Sequence, residues 1–204
     1  MAEKKSRVGI MGGTFDPIHM GHLILAQLAY EQLHLDKVLF IPSGRPPHKP
    51  NRSGASDSDR VEMTRMAIAD NPAFELDLME MDSKTPTYTY LTLKKLCEEN
   101  PDTEYYFILG EDSLINFLTW AKPEEIVKYC HIVCGVRPGL TDEDMDAIIE
   151  EKRSVTGGDY ITIESPPIGI SSCDIRRKVR EGESIRYYVP AGIAEYIETK
   201  DIYR

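Results

Sequence analysis

The sequence predicts an α/β fold with a doubly wound parallel sheet, helices on both faces and a C-terminal helical tail. Short apolar runs alternate with helical patterns along most of the chain. Each alternation fits a right-handed strand–helix–strand crossover, which makes neighbouring strands parallel. From Ser171 onward the pattern indicates helices only. We expect one domain over residues 1–204, with an α/β core in 7–170 and a helical part in 171–204.

Six short apolar runs are the strand candidates. In chain order they are Val8–Met11, Lys37–Ile41, Phe74–Leu78, Tyr105–Leu109, His131–Val136 and Tyr160–Ile163. The stretches between them have apolar residues at helical spacing. These helix candidates are Leu23–Leu33, Asp59–Ala69, Tyr90–Glu98, Pro123–Tyr129 and Glu143–Lys152. Ligands of such sheets bind at the carboxyl ends of the strands, near the point where the strand order reverses.

Composition and charge narrow the function classes. The 204 residues are 41% hydrophobic and 28% charged, which is typical of globular proteins. The formal net charge of −10 disfavours nucleic-acid and membrane partners, because both surfaces repel an acidic protein. No segment approaches the roughly 20 apolar residues of a spanning helix, and residues 1–7 lack the apolar stretch of a signal peptide. We expect a cytoplasmic protein; homo-oligomerisation stays open.

The four cysteines are expected to be reduced thiols, because the sequence shows no secretory context. They are Cys97, Cys130, Cys134 and Cys173. The segment from Cys130 to Cys134 contains metal-ligating residue types, but the second cysteine pair of a zinc site is missing. Its apolar neighbours indicate a buried strand, in which cysteine behaves as a small apolar residue. We therefore predict no metal site there.

A glycine turn with two histidines directly follows the first strand candidate. It reads Gly12-Gly13-Thr14-Phe15-Asp16-Pro17-Ile18-His19-Met20-Gly21-His22. Glycines let backbone N–H groups approach an anion, and a helix N-terminus carries partial positive charge. His19 and His22 are three residues apart, so both face one direction on a helical turn. The pattern favours phosphate chemistry.

Two common explanations of such a turn do not apply here. The spacing is not that of the dinucleotide fingerprint, and the lysine of a P-loop is missing. Two other interpretations remain open for the histidines. They could pack or cap the helix, or they could bind a divalent ion together with Asp16, although no second acidic cluster supports that ion.

A second candidate for phosphate binding lies late in the chain, at Ile170-Ser171-Ser172-Cys173-Asp174-Ile175-Arg176-Arg177-Lys178. Serines at a helix start offer hydroxyls beside free backbone N–H groups, and arginines follow within two turns. The alternative is an N-capped helix with basic residues on its solvated face. The proline-rich basic loop Pro42–Arg52 is likewise either a ligand-binding loop or a solvated connection. The threonines of Thr85–Thr89 could be N-caps of the next helix.

These two segments resemble the nucleotidyltransferase superfamily that carries an H-x-G-H motif and a late I-S-S-x-x-I-R motif. The resemblance extends over most of the chain, in order, to the bacterial nicotinate-nucleotide adenylyltransferase family. The segments that carry this extension are Pro46–Lys49, Pro86–Thr89, Gly110–Ser113, Trp120 and Arg137–Gly139. The first motif specifies only the superfamily; the loop, the Tyr-Thr segment and the tryptophan narrow it to this family.

The resemblance implies a Rossmann-like fold and transfer of the adenylyl group of ATP to nicotinate mononucleotide, on the route to NAD. Mg²⁺ is expected with ATP. The attacking phosphate is already ionised near pH 7, so no general base is required. The reaction instead needs alignment of two anions and neutralisation of the charge on the transferring phosphate. His19, His22 and Arg176 suit that catalytic role.

The resemblance also implies the binding residues. For ATP they are Gly12, Gly13, Thr14 and Phe15 around the nucleotide, Ser171 and Ser172 at the triphosphate, Gly110 and Asp112 at a ribose, and Arg137. For nicotinate mononucleotide, Trp120 would stack on the pyridine ring and Lys49 would contact the phosphate. Thr87, Tyr88 and Thr89 would lie along the carboxylate. No protein-held metal is expected.

Two positions depart from the family's pattern, and two rival functions remain. Cys173 stands where threonine is usual, and Glu111 replaces a small residue, but neither change removes a charge that the chemistry needs. One rival is pantetheine-phosphate adenylyltransferase, which shares the first motif. The other is a non-catalytic nucleotide sensor on the same fold. Retention of His19, His22, Arg176 and Lys49 disfavours the sensor, because a binder needs fewer transition-state donors.

Overall fold

The computed structural model describes residues 5–44, 54–81, 86–136 and 142–204. Proximity of Cα atoms groups the chain into two compact units. The first unit comprises the described residues of Met1–Met11, Leu25–Val38 and Tyr88–Ile168, and the second those of Gly12–Ile24, Leu39–Thr87 and Gly169–Arg204. The single domain over residues 1–204 stays a prediction.

Six strands form one sheet. They are β1 (Ser6–Gly13), β2 (Lys37–Pro42), β3 (Phe74–Leu76), β4 (Thr103–Leu109), β5 (His131–Val136) and β6 (Tyr160–Glu164). Their order is β3-β2-β1-β4-β5-β6, and β1 with β4, β4 with β5 and β5 with β6 pair in parallel. This is the doubly wound order, in which the chain reverses direction after the third strand. The predicted strands and fold class are confirmed.

Eight helices are described. They are α1 (Met20–Gln32), α2 (Asp57–Ile68), α3 (Thr89–Glu99), α4 (Glu111–Ile115), α5 (Pro123–Ile126), α6 (Asp142–Thr156), α7 (Ser172–Arg180) and α8 (Ile193–Thr199). Sequence periodicity missed α4 and the 3-10 turn Phe117–Thr119, because five and three residues are too short to show a period. The predicted helices α1, α2, α3, α5 and α6 are confirmed, and α7 and α8 confirm the helical tail.

The central strands form the core. All five residues from Tyr105 to Leu109 on β4 are buried, as are Ile132 to Gly135 on β5. Continuous burial is what a parallel strand covered on both faces requires. Close packing also explains Gly9 on β1, where a Cβ would lie 2.9 Å from the Leu35 side chain. The apolar runs that predicted the strands are therefore the residues that exclude water from the sheet.

The cysteines are free thiols in the structure. Burial raises the pKa of the Cys134 thiol to about 12 and raises that of Cys130 as well, so both stay protonated at pH 7. They pack as small apolar residues on and beside β5, as expected. Within the described ranges, no helix has the length and apolar character needed to cross a membrane.

Candidate active site

The glycine turn of the second unit begins at the end of β1, where Gly12 and Gly13 are half-buried. Phe15 takes a left-handed backbone conformation with φ of 49°. Its ring folds back so closely that a Cβ on Gly13 would lie 2.9 Å from it. The ring is 2% exposed and meets His22 edge-on, with centroids 5.1 Å apart. The buried ring of Phe15 thus packs against His22 from the core side.

The two histidines stack at the start of α1. Their ring centroids are 3.7 Å apart and the rings are inclined by 26°. The backbone N–H of His19 donates to Nδ1 of His22 at 3.3 Å, which places the His22 proton on Nε2. A side chain in the first helical turn that accepts from the residue before the helix is one half of a capping box. His22 therefore caps α1 and presents a donor at the same time.

Burial keeps both imidazoles neutral at pH 7. It lowers the pKa of His19 to about 4. It also lowers the pKa of His22 well below its usual value, and the neighbouring His19 charge adds to this effect. In the described part of the chain, Nδ1 of His19 is buried and has no hydrogen-bond partner. Buried polar atoms are almost always paired in native proteins, so an unpaired nitrogen at a helix N-terminus points to a ligand.

The late motif packs against the glycine turn within the second unit. Ser172 Oγ donates to the carbonyl of Pro17 at 2.9 Å. Ser171 is the N-cap of α7: its Oγ accepts from the Asp174 N–H at 3.1 Å and donates to the Asp174 carboxylate at 2.7 Å. The capping role is therefore present for Ser171. The structure brings the two predicted phosphate motifs together, and Ser172 is one of the residues that joins them.

Arg176 is anchored beside the histidines' turn without being neutralised directly. Its Nη1 donates to the backbone carbonyl of Asp16 at 2.7 Å and lies 4.0 Å from Oδ2 of the same residue. The side chain is 25% exposed. A guanidinium has five N–H donors, so anchoring through Nη1 leaves donors for a phosphate. This geometry fits the predicted catalytic role of Arg176.

Sequence reasoning missed the buried arginine of this unit. Arg60 is fully buried and donates to the carbonyls of Thr14 and Ser43, the latter at 2.9 Å. Its Nη2 also pairs with Asp57 at 3.0 Å. Arg60 therefore ties the loop after β1 to the loop after β2. The sequence does contain a signal for this burial, because Arg60 lies three, four, seven and eight residues before the other buried positions of α2. These are Met63, Thr64, Ala67 and Ile68.

The remaining predicted residues lie as follows. Thr87 Oγ1 is buried and has no partner in the described portion of the chain. Tyr88 is the N-cap of α3 without a side-chain cap bond, so the capping interpretation is wrong for Thr87 and Thr89, while Thr85 lies outside the described residues. In the first unit, Gly110 precedes α4 and is exposed, as is Asp112. Trp120 is half-buried and meets Phe107 edge-on, with ring centroids 6.1 Å apart.

Two predicted residues, Lys49 and Arg137, lie outside the described residues, as does most of the loop Pro42–Arg52. No group of three or more His, Cys, Asp or Glu side chains in residues 5–44, 54–81, 86–136 and 142–204 is arranged to hold a metal ion. Asp16, the carboxylate that a divalent ion at the histidines would need, accepts hydrogen bonds from Ala55 and Tyr203. The absence of a protein-held metal stays a prediction.

The depressed histidine pKa values predict a loss of stability on acidification. Unfolded His19 binds its proton near pH 6.5, whereas the folded protein binds it only near pH 4. Between these values the unfolded state binds more protons, so this stability is complete above pH 6.5 and is lost as the pH falls towards 4. From pH 7 to 5 we expect His19 to lower the free energy of unfolding by about 2 kcal/mol. Urea unfolding of wild type and His19→Asn measures it; an equal fall in both proteins would contradict the prediction.

Comparison with known proteins agrees with this geometry. The cytidylyltransferase-like family model matches residues 10–178. A protein of Thermoanaerobacter sp. (strain X514) named probable nicotinate-nucleotide adenylyltransferase is 39% identical over 203 residues, which cover 99% of this chain and 96% of that one. A protein of Thermus thermophilus with the same name is 40% identical over 198 residues, covering 97% and 100%.

A solved structure shares the fold. It is the nicotinic acid mononucleotide adenylyltransferase of Plasmodium falciparum complexed with NaAD, with a TM-score of 0.78, 21% identity and 97% coverage of both chains. Relatives near 40% identity over nearly the whole chain also have nearly the same length, so the match is not confined to one motif. The chain belongs to the nicotinate-nucleotide adenylyltransferase family of cytidylyltransferase-like proteins.

Proposed function

We propose that this chain transfers the adenylyl group of ATP to nicotinate mononucleotide, forming nicotinate adenine dinucleotide and pyrophosphate in the cytoplasmic synthesis of NAD. The observation that carries the proposal is the stacked, neutral histidine pair whose His19 Nδ1 is buried and unpaired among the described atoms. Arg176 is held beside the same turn by Asp16. Donors at a helix start, next to an anchored guanidinium, suit a polyphosphate.

The reaction that fits these groups needs no base. A phosphate oxygen of nicotinate mononucleotide attacks the α-phosphorus of ATP, the new P–O bond forms, and the bond to the β-phosphate oxygen breaks. The attacking phosphate is ionised near pH 7 and no proton has to leave it. The protein has to align the two anions and stabilise charge on the α-phosphate and the leaving pyrophosphate.

The neutral histidines act as donors in this scheme. Neutral His22 carries its proton on Nε2, because Nδ1 accepts from the backbone. His19 has one N–H when neutral and gains a second by protonation, which an approaching phosphate favours by opposing the effect of burial. Both imidazoles lie where the first turn of α1 adds its own positive end. Arg176 supplies the positive charge of a guanidinium, whose planar donors match phosphate oxygens.

We propose that Mg²⁺ binds to the enzyme together with ATP. Mg²⁺ prefers oxygen ligands, whereas the site consists of imidazole and guanidinium donors. The carboxylate of Asp16 already accepts two hydrogen bonds on Oδ1. We therefore assign Mg²⁺ to phosphate oxygens of ATP, where it would neutralise charge on the departing pyrophosphate.

The residues proposed to bind nicotinate mononucleotide, the acceptor, are chosen from the surroundings of their side chains. Trp120 is half-buried, so one part of its ring packs on Phe107 and Phe117 while the other can stack on a pyridine ring. Thr87 Oγ1 is unpaired among the described residues and suits a carboxylate oxygen, with Tyr88 and Thr89 beside it in sequence. For the ATP side we propose Gly12, Gly13, Thr14, Phe15, Ser171, Ser172, Gly110, Asp112 and Arg137. Lys49 remains a proposed contact of the acceptor phosphate.

A substrate panel tests the proposal directly. The enzyme with ATP and Mg²⁺ is expected to release pyrophosphate with nicotinate mononucleotide and to release none with phosphopantetheine. A coupled pyrophosphate assay measures both rates, and nicotinamide mononucleotide gives the acid-to-amide ratio of kcat/KM. Release with phosphopantetheine alone would establish the pantetheine-phosphate reaction instead. ATP binding without pyrophosphate release from any acceptor would establish a sensor.

A further inference from the structure

The two carboxylate oxygens of Asp16 face different groups within the second unit. Its Oδ1 accepts from the Tyr203 hydroxyl at 2.7 Å and from the Ala55 N–H at 2.9 Å. Its Oδ2 lies 4.0 Å from Nη1 of Arg176. This carboxylate lies so close to Gly54 that a Cβ there would collide with Oδ2. The carboxylate is therefore held in one orientation from several sides.

The position of Tyr203 is specified by unusual backbone geometry. Tyr203 and Asp201 both follow α8, and both have positive φ, 73° and 53°. Left-handed conformations are unfavourable for residues with a Cβ and persist only where the surroundings impose them. Here these conformations place Tyr203, which is only 8% exposed, against the glycine turn. Burial, together with the nearby Asp16 charge, raises the pKa of the Tyr203 hydroxyl, so it remains a donor.

Arg176 and Asp16 would normally form a tighter pair. An arginine beside a free carboxylate makes short, often bidentate bonds that neutralise both charges. Instead, Nη1 of Arg176 donates to the backbone carbonyl of Asp16, a neutral acceptor, at 2.7 Å. This hydrogen bond fixes the position of the guanidinium without neutralising its charge. The other carboxylate oxygen, Oδ1, is occupied by the two hydrogen bonds from Tyr203 and Ala55.

We propose that Tyr203 is a positioning residue for ATP: by occupying Oδ1 of Asp16, its hydroxyl keeps this carboxylate from pairing with Arg176 and so leaves the guanidinium charge to the triphosphate. The proposal rests on the proposed function of the site. It assigns to Tyr203 no contact with substrate. Its effect is expected in ATP affinity more than in the chemical step.

The test removes one hydroxyl. In Tyr203→Phe only the Ala55 N–H still holds Oδ1, so the carboxylate can turn towards Arg176. We expect Kd and KM for ATP to rise about five- to tenfold and kcat to fall by a smaller factor, because Arg176 also serves the chemical step. Tyr196→Phe is the matched control, because Tyr196 Oη also donates to a carboxylate of the same unit, that of Asp59 at 2.9 Å. The control is expected to leave ATP affinity within about twofold. Equal effects of the two substitutions would overturn the proposal.

A double-mutant cycle with Asp16→Asn tests whether Tyr203→Phe changes ATP affinity through the Asp16 carboxylate. The D16N side chain has no charge to offer Arg176, so adding Tyr203→Phe is expected to change ATP affinity by less than about twofold. An undiminished effect of Tyr203→Phe in the D16N background would refute the route through Asp16. If D16N does not fold, the comparison of the two tyrosine variants decides alone.

The readout separates this inference from the function itself. ATP affinity is measured by titration calorimetry with ATP and Mg²⁺, in the absence of any acceptor. If wild type binds ATP but releases no pyrophosphate with nicotinate mononucleotide, the proposed function fails and the affinity comparison still decides the role of Tyr203. If turnover is as proposed and Tyr203→Phe behaves as Tyr196→Phe does, only the inference fails.

Discussion

Replacing His19 by alanine is expected to lower kcat about 10²- to 10³-fold, the loss found when one preorganised donor to developing charge is removed. ATP affinity is expected to change less than about threefold, because the hydrogen bond from His19 strengthens mainly as charge develops on the transferring phosphate. The structural reason is that His19 Nδ1 is buried at the start of α1 and, among the described residues, has no partner to satisfy it. Steady-state kinetics and ATP titration measure the two quantities separately.

Controls distinguish catalysis from folding. His34→Asn changes an exposed histidine after α1, and asparagine tolerates its positive φ of 49°, so activity should stay near that of wild type. His19→Asn keeps a short N–H donor and should recover part of the lost rate. Parallel losses of kcat and ATP affinity in His19→Ala would contradict the transition-state role and would favour the sensor.

Replacing Arg60 by alanine is expected to lower the free energy of unfolding by about 3 to 5 kcal/mol. Arg60 has no exposed surface, and its guanidinium donates to the carbonyls of Thr14 and Ser43. Alanine would leave both carbonyls without this donor and would open a cavity under the glycine turn. Because the turn carries the histidines, activity should fall together with stability. Urea unfolding followed by circular dichroism measures the change.

The same helix provides the matched control. Arg65 lies on α2 with 56% of its side chain exposed, and its Nε lies 3.5 Å from Oε2 of Glu62. Exposed ion pairs contribute about 0 to 1 kcal/mol, so Arg65→Ala should leave the urea midpoint almost unchanged. If Arg60→Ala were as stable as Arg65→Ala, the hydrogen bonds from Arg60 to the carbonyls of Thr14 and Ser43 would not stabilise the loops after β1 and β2, which would contradict the prediction.

Much of the fold could be predicted because its signals are local. Each strand of the sheet is an apolar run, and all six predicted runs overlap the observed strands within three residues at either end. The end of α6 shifted most, by four residues, from Lys152 to Thr156. The start of α1 shifted by three residues, since the helix begins at Met20 and thus includes Gly21 and His22 of the predicted turn. The short α4 escaped detection because five residues have no measurable period.

Roles that depend on distant partners could not be predicted. Tyr203 and Asp16 are 187 residues apart in sequence, and neither periodicity nor a motif connects them. The same holds for Ser172, whose hydroxyl bonds to the carbonyl of Pro17, 155 residues away. Ser171 shows the opposite case. Its capping bond to Asp174 spans three residues, so a serine at the start of a helix predicts this bond from sequence alone.

The sequence by itself determined the fold class and the kind of chemistry, because strand periodicity, glycine turns and paired histidines are properties of neighbouring residues. Only the tertiary structure decided the charge state of the site. Burial, which depends on what packs around His19 and His22, keeps both neutral at pH 7. The distance between Asp16 and Arg176 likewise depends on what holds the carboxylate. Both are set by desolvation and by hydrogen bonds between segments far apart in the chain, which no local pattern encodes.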